Sequence, residues 1–170
     1  KDFRKNKILN QAILASSSDY LIFIDSDCVP HSKFVEEHLN EKINAIVLTG
    51  RRVNLSQKIT ELLTETKVKE GFLESNKLLL LEDALFGESN YVEKGIYFEN
   101  NFLRKLFNKK SRGLLGCNFS LNKKDILEIN GFDERYEAPS IGEDSDIEFR
   151  LGLNGIKVKS VNHIAVQYHL

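Results

Sequence analysis

The sequence predicts an α/β fold, because an amphipathic helix and a short apolar strand follow one another at the start of the chain. Apolar residues recur at helical spacing at Ile8, Leu9, Ala12 and Ile13. Residues 19–25 then form a continuous apolar run between two aspartates, which is typical of a parallel strand covered on both faces. A helix followed by such a strand favours a sheet with helices packed against it.

The next predicted elements continue this alternation. Ser32 is placed to cap a helix, and the predicted buried stripe of that helix consists of Phe34, Val35 and Leu39. Residues 45–49 predict the following strand.

From residue 55 to 112 the pattern changes to amphipathic helical segments separated by glycine and asparagine. We interpret this segment as a helical insertion on the acceptor side of a single domain that spans residues 1–170. Its end is locally basic around Lys105, Lys109 and Lys110. We interpret this stretch as a solvated helix face, with contact to an anionic membrane surface or a charged acceptor as the alternative.

Strands and helices alternate again after residue 113. Residues 113–121 predict a strand, and a short helix follows it. The segment after Gly142 predicts another helix, because its start is rich in acidic residues, which a helix dipole favours. Residues 156–161 and 165–168 predict the last two strands.

The composition limits the possible functions. With 24 basic and 25 acidic side chains, a net charge of -1 gives no reason to expect a nucleic acid partner. Two cysteines, Cys28 and Cys117, lack a metal-binding spacing, so we interpret them as small buried residues rather than nucleophiles and expect a reducing, cytoplasmic location. Every apolar stretch is shorter than the roughly 20 residues that a membrane-spanning helix needs.

The first candidate site is Asp25-Ser26-Asp27, which comes directly after the predicted apolar strand. In open α/β sheets, ligands bind at the edge where such strands end. Carboxylates there can hold Mg²⁺ or Mn²⁺, which binds phosphate oxygens and neutralises a departing diphosphate. Taken alone, however, an Asp-x-Asp triplet also occurs in ordinary loops and caps.

The second candidate site contains Glu143, Asp144 and Asp146 at the predicted start of a helix. One interpretation is structural, because acidic side chains at a helix N-terminus contribute about 0.3–1 kcal/mol each. The other is catalytic, with one carboxylate acting as general base toward a hydroxyl. His163 and His169 flank a predicted strand, and one of them becomes a candidate metal ligand only because a metal is already expected at Asp25 and Asp27.

Several segments, taken in chain order, resemble the inverting family 2 glycosyltransferases and the related galactosyltransferase C-terminal region. Residues 3–10 resemble the helix before the metal motif of that family, and residues 19–28 resemble the strand that ends in its Asp-x-Asp. Residues 116–120, 130–134 and 142–146 resemble its acceptor and catalytic block. The resemblance implies a GT-A fold, with a mixed, mainly parallel sheet flanked by helices.

The resemblance also implies a metal-dependent reaction in the assembly of a surface polysaccharide or other glycan. The implied donor is a nucleotide-diphosphate sugar, with a UDP-sugar as the first candidate. The implied acceptor is a glycan or a lipid-linked glycan at the inner face of the membrane. The implied cofactor is Mn²⁺ or Mg²⁺, held by Asp27 and His169 with His163 as the alternative ligand. The implied catalytic base is Asp144.

The remaining roles come from the same resemblance. The implied donor-binding residues are Asp25, Asp27, Arg4, Lys7 and Gly116. Glu143 and Asp146 are the implied acceptor-binding residues. The strand-helix-strand unit that begins the family fold has no counterpart here, so we expect the chain to be incomplete at its N-terminus. Two alternatives stay open, a metal-dependent phosphotransferase or phosphohydrolase that uses Asp25 and Asp27, and an inactive sugar-binding module of the same fold.

Overall fold

The computed structural model describes residues 4–109, 113–136 and 142–170. Its helices are α1 (Lys5–Ala15), α2 (Phe34–Asn40), α3 (Gln57–Glu61), α4 (Glu65–Lys69), α5 (Phe72–Ser75), α6 (Lys77–Phe86), α7 (Asn101–Phe107), α8 (Lys123–Glu128) and α9 (Glu143–Leu153), with a 3-10 helix at Val92–Gly95. Its strands are β1 (Tyr20–Ile24), β2 (Cys28–Pro30), β3 (Ile46–Thr49), β4 (Arg52–Asn54), β5 (Asn118–Asn122), β6 (Lys157–Ser160) and β7 (Gln167–His169). Strands β2 and β4, of three residues each, were not predicted.

The mixed α/β architecture is confirmed. Within the described residues, one sheet has the order β1-β5-β3-β6 and a second has the order β2-β7-β4. Pairing is parallel between β3 and β6 and between β4 and β7, and antiparallel between β1 and β5, β3 and β5, and β2 and β7. The expected mainly parallel sheet is therefore corrected to a mixed one, in which antiparallel pairs predominate. The reason is that β5 lies between β1 and β3 and runs antiparallel to both.

The larger sheet is covered by helices on both faces. Neighbouring residues of a strand point to opposite faces, and accordingly Val47 packs in the core beneath α1, α8 and α9, while Leu48 packs with Phe34 of α2. Phe119 of β5 is fully buried and stacks on Phe23 of β1 with ring centroids 4.3 Å apart. This double burial explains the continuous apolar run that predicts β1.

The smaller sheet lies against the helical segment that follows it. Val53 of β4 and Tyr168 of β7 pack with Ile59 of α3 and Leu80 of α6 in a separate core. The helical character predicted for residues 55–112 is confirmed over its described part. Its placement on the acceptor side of the domain stays a prediction.

The predicted buried stripe of α2 is wrong in two of its three positions. Phe34 is 2% exposed, but Val35 and Leu39 are 55% and 52% exposed. The helix buries Glu37 and His38 instead, because both have polar partners in neighbouring elements. Ser32 does not cap α2 either. Its hydroxyl donates to Glu74 Oε2 at 2.9 Å.

The described basic side chains around α7 differ in orientation: one points into the protein and the others point to solvent. Arg104 turns inward and donates to both carboxylate oxygens of Glu37 at 2.6 and 2.8 Å. Lys105 and Lys109 are exposed, and Phe102 between the helix start and these lysines is 72% exposed. Lys110 lies outside the described residues. No helix in the described parts of the chain is both long enough and apolar enough to cross a membrane.

Candidate active site

The two acidic motifs of the sequence meet at one cleft of about 940 Å³. Asp25 and Asp27 reach it from the connection between β1 and β2, and Glu143 and Asp144 reach it from the start of α9. The cleft is lined by Arg4, Lys5, Ile8, Leu9, Asp25, Ser26, Asp27, Arg52, Leu114, Leu115, Gly116, Cys117, Gly142, Glu143, Asp144 and Ser145. Six residues with predicted roles therefore share this cleft, namely Arg4, Asp25, Asp27, Gly116, Glu143 and Asp144.

Asp144 is held in place by the backbone of the facing loop. Gly142 begins α9 in the left-handed conformation, at φ 76°. Gly116 N–H donates to Asp144 Oδ2 at 2.7 Å. A Cβ atom at Gly116 would overlap the Asp144 carboxylate, so this close approach requires glycine. The loop before β5 thus fixes the orientation of the Asp144 carboxylate, with Oδ2 bound to Gly116 N–H.

The environment of Asp144 suits a general base. Burial raises its pKa above the ordinary value, and the charges of Glu143 and Asp25 add to that rise, whereas the Gly116 N–H and the ammonium of Lys5 act against it. A carboxylate with a raised pKa binds a proton more readily than an exposed one. Asp144 can therefore accept a proton from a hydroxyl that enters the cleft.

Lys5 contacts the first acidic motif, a contact that the sequence analysis missed. Its Nζ lies 2.7 Å from Asp25 Oδ1. Burial lowers the pKa of Lys5, but the hydrogen bond to Asp25 and the charges of Asp25, Asp144 and Glu143 outweigh this and raise it. Lys5 therefore remains a cation, and it places one positive charge among the carboxylates.

The predicted metal ligands Asp27 and His169 lie side by side. His169 Nε2 is 3.3 Å from Asp27 Oδ2, because the antiparallel pairing of β2 and β7 sets Cys28, the neighbour of Asp27, opposite His169. A carboxylate and an imidazole are ligands that divalent cations accept. No group of three His, Cys, Asp or Glu side chains suited to a metal occurs in the described ranges. Asp27 and His169 are thus a pair of potential ligands and not a complete metal site within the described residues.

Three residues with predicted or alternative roles lie elsewhere. Lys7 is exposed and does not line the cleft, because two residues along a helix turn through about 200° and Lys5 already faces the cleft. Asp146 Oδ2 accepts from Arg150 Nε and Nη2 at 2.9 and 2.5 Å. His163, the alternative metal ligand, stacks on Phe98.

These placements give Asp146 and His163 a structural explanation. Arg150 also donates to the carbonyls of Ile129 and Gly131 at 2.8 and 2.6 Å, so its pair with Asp146 ties α9 to the turn after α8. The Nδ1 atom of His163 lies 2.9 Å from the Ile96 carbonyl oxygen, and burial lowers the pKa of this histidine. Neither Asp146 nor His163 lines the cleft.

Arg52 and Cys117 also line the cleft, and Cys28 lies close to Cys117. Arg52 of β4 lines the cleft, and its Nη1 lies 3.6 Å from Cys117 Sγ. Cys28 and Cys117 are far apart in the chain, but both are free thiols and both lie within reach of the Gln167 amide. The sequence carried no signal for Arg52, because the strand that positions it is only three residues long.

A model of the family described as glycosyltransferase-like family 2 matches residues 1–169 of the chain. No curated protein gives a significant match to the sequence.

Proposed function

The chain belongs to glycosyltransferase-like family 2, and from this premise we propose that it moves a sugar from a nucleotide-diphosphate donor to an acceptor hydroxyl with inversion at the anomeric carbon. The observation that carries the proposal is the position of Asp144 across one cleft from Asp25 and Asp27. One motif can then hold the leaving diphosphate while the other activates the attacking hydroxyl. The acceptor is a glycan or a lipid-linked glycan.

The proposed reaction is a single displacement. Asp144 removes the proton of the acceptor hydroxyl, and the oxygen attacks the anomeric carbon while the bond from that carbon to the diphosphate breaks. Gly116 N–H keeps one Asp144 oxygen occupied, so the other is left for the hydroxyl. Glu143 lies beside the base on the cleft wall and binds the acceptor in this scheme.

The donor half of the cleft must bind a diphosphate. Lys5, Arg4 and Arg52 bring positive charge to the cleft lining, and charge-assisted bonds to phosphate stabilise the negative charge that develops on the leaving group. Members of this family typically use divalent metals. A Mn²⁺ or Mg²⁺ ion at Asp27 and His169 would supply further charge neutralisation when bound.

A donor screen tests the proposal. The full chain is incubated with Mn²⁺ and each of a set of sugar nucleotides, UDP-sugars first, and released nucleoside diphosphate is measured. We expect release from one donor to fall about 10²–10⁴-fold in Asp144→Asn, the range for loss of a general base, and to be lost in Asp25→Asn/Asp27→Asn. The matched control is Asp19→Asn, which changes an exposed carboxylate outside the cleft.

The same assay separates the alternatives. Phosphate released from simple esters, with no diphosphate from any sugar nucleotide, would favour a phosphohydrolase. Sugar binding that survives Asp144→Asn, with no transfer in either form, would favour an inactive module.

We further propose that α7 touches an anionic membrane surface when the acceptor is lipid-linked, at the inner face of the membrane in the cytoplasm. The support is the combination of exposed Phe102 with exposed Lys105 and Lys109. Sedimentation with vesicles that contain anionic lipid should fall in Lys105→Gln/Lys109→Gln. Equal sedimentation of both proteins would exclude this contact.

A further inference from the structure

The only two cysteines of the sequence lie together although nothing in the proposed transfer uses them. The buried Gln167 Nε2 lies 3.1 Å from Cys117 Sγ and 3.7 Å from Cys28 Sγ. Both cysteines are free thiols.

The two sulfur atoms have different surroundings. Cys117 Sγ faces two donors, the Gln167 amide at 3.1 Å and the Arg52 guanidinium at 3.6 Å. Cys28 Sγ instead donates toward Asp27 Oδ1 at 3.8 Å. Hydrogen-bond donors and a positive charge stabilise a thiolate at Cys117. The arrangement therefore makes Cys117 the nucleophile of the pair.

Cys117 can be reached by a small reagent. Its side chain is buried, yet it contributes to the lining of the cleft, whereas Cys28 is half-buried beside it. We propose that Cys28 and Cys117 are an oxidisable dithiol, in which Cys117 reacts with a peroxide and Cys28 then closes a disulfide.

The reaction is balanced with hydrogen peroxide as oxidant. The Cys117 thiolate attacks one peroxide oxygen, the O–O bond breaks, and hydroxide leaves while Cys117 becomes a sulfenic acid. The Cys28 sulfur attacks the Cys117 sulfur, the S–O bond breaks, and the Cys28 proton leaves with the hydroxyl as water. The two sulfurs lose two electrons and the peroxide is reduced to water and hydroxide.

The position of the pair gives the disulfide a consequence for the cleft. Cys28 follows Asp27, and Cys117 follows Gly116, whose N–H holds Asp144. A disulfide draws the two sulfur atoms to about 2.05 Å, so it shifts the two halves of the site relative to each other. A displacement of about 1 Å can cost on the order of 10²-fold in rate. This consequence rests on the proposed function, whereas the thiol chemistry does not.

The experiment measures the thiols directly. The reduced full chain is treated with hydrogen peroxide, free thiols are counted, and intact mass and a non-reducing peptide map are recorded. We expect both thiols to disappear, the mass to fall by two hydrogen atoms, and one intramolecular link between residues 28 and 117. Two remaining thiols, or a link only between chains, would overturn the proposal. Thiols that disappear without any change in diphosphate release would leave the dithiol standing and remove only its effect on transfer.

Single variants assign the two roles. Cys28→Ser should stop at a Cys117 sulfenic acid, which a dimedone-type reagent captures. Cys117→Ser should leave Cys28 unreacted over the same time. If Cys117→Ser does not fold, Arg52→Gln gives the second test. This variant removes the positive charge beside Cys117 Sγ, so alkylation of Cys117 by iodoacetamide should be several-fold slower than in the wild type. Faster reaction of Cys28 than of Cys117 in these single variants, or unchanged alkylation in Arg52→Gln, would refute the assignment.

Discussion

Replacement of Gly116 by alanine tests whether the close approach of Gly116 to Asp144 serves catalysis. The new methyl group would overlap the Asp144 carboxylate, so the loop or the carboxylate must move and the 2.7 Å bond from Gly116 N–H to Asp144 Oδ2 is strained or lost. A hydrogen bond to a charged group contributes about 1.5–3 kcal/mol. A shift of about 1 Å at the reacting atoms costs on the order of 10²-fold.

We therefore expect kcat to fall about 10²-fold, because the base is displaced from the reacting hydroxyl. The pH dependence should change as well. The Gly116 N–H lowers the pKa of Asp144, so its loss raises that pKa further. A base must be deprotonated to act, and the rate of Gly116→Ala should therefore begin to fall at a higher pH than that of the wild type as the solution is made more acidic.

The matched control is Gly152→Ala in α9, where an added methyl group meets no atom within 4 Å. Helix propensity favours alanine there by up to about 1 kcal/mol. Both variants are assayed by nucleoside diphosphate release as a function of pH, and their unfolding is followed in denaturant. If Gly116→Ala keeps the kcat and the pH profile of Gly152→Ala, the inference that Gly116 positions the base is refuted.

Three further predictions follow from the charges of the fold. Because burial raises the pKa of Asp144, its ionisation opposes folding above its unfolded pKa, and Asp144→Asn should raise the free energy of unfolding at neutral pH; an unchanged or lowered value in urea unfolding would contradict this. Lys5→Gln should raise the donor KM about tenfold or more, because a charge-assisted bond to the donor is lost, whereas Lys7→Gln should leave the donor KM unchanged. A rise in the donor KM for Lys7→Gln but not for Lys5→Gln would restore the sequence-based assignment to Lys7. Burial lowers the pKa of His38 from 6.5 to about 4, so stability should be lost as pH falls from 6.5 toward 4, by up to about 1.4 kcal/mol per pH unit; His38→Gln should flatten this slope, and an equal slope in both proteins would show that other groups cause it.

The sequence by itself determined the elements whose signal is local. The apolar run of β1 and the acid-rich start of α9 are read from consecutive residues, and both lie where they are predicted. Strand β1 ends at one candidate site and α9 begins at the other, so the approximate position of the carboxylates Asp25, Asp27 and Asp144 followed as well. The helical character of the described part of residues 55–112 was predictable for the same reason.

Only the tertiary structure decided which side of each element faces the cleft. Lys5 and Lys7 lie on one helix within a single turn, and the packing of α1 on the sheet turns Lys5 inward. The α2 helix buries Glu37 and His38 because Arg104, Ser120 and Asn118 supply partners from distant elements. Hydrophobic periodicity locates buried apolar residues, but it does not identify polar residues whose burial is compensated by hydrogen bonds from distant elements.

The meeting of distant residues was also beyond the sequence. Cys28 and Cys117 are brought together by β2 and by the loop before β5, and His169 reaches Asp27 through the register of β2 with β7. Asp146 pairs with Arg150 because a helix brings positions four apart to one face. Strand register and helix packing are set by the whole core, and they determine which of the acidic and basic side chains share a site.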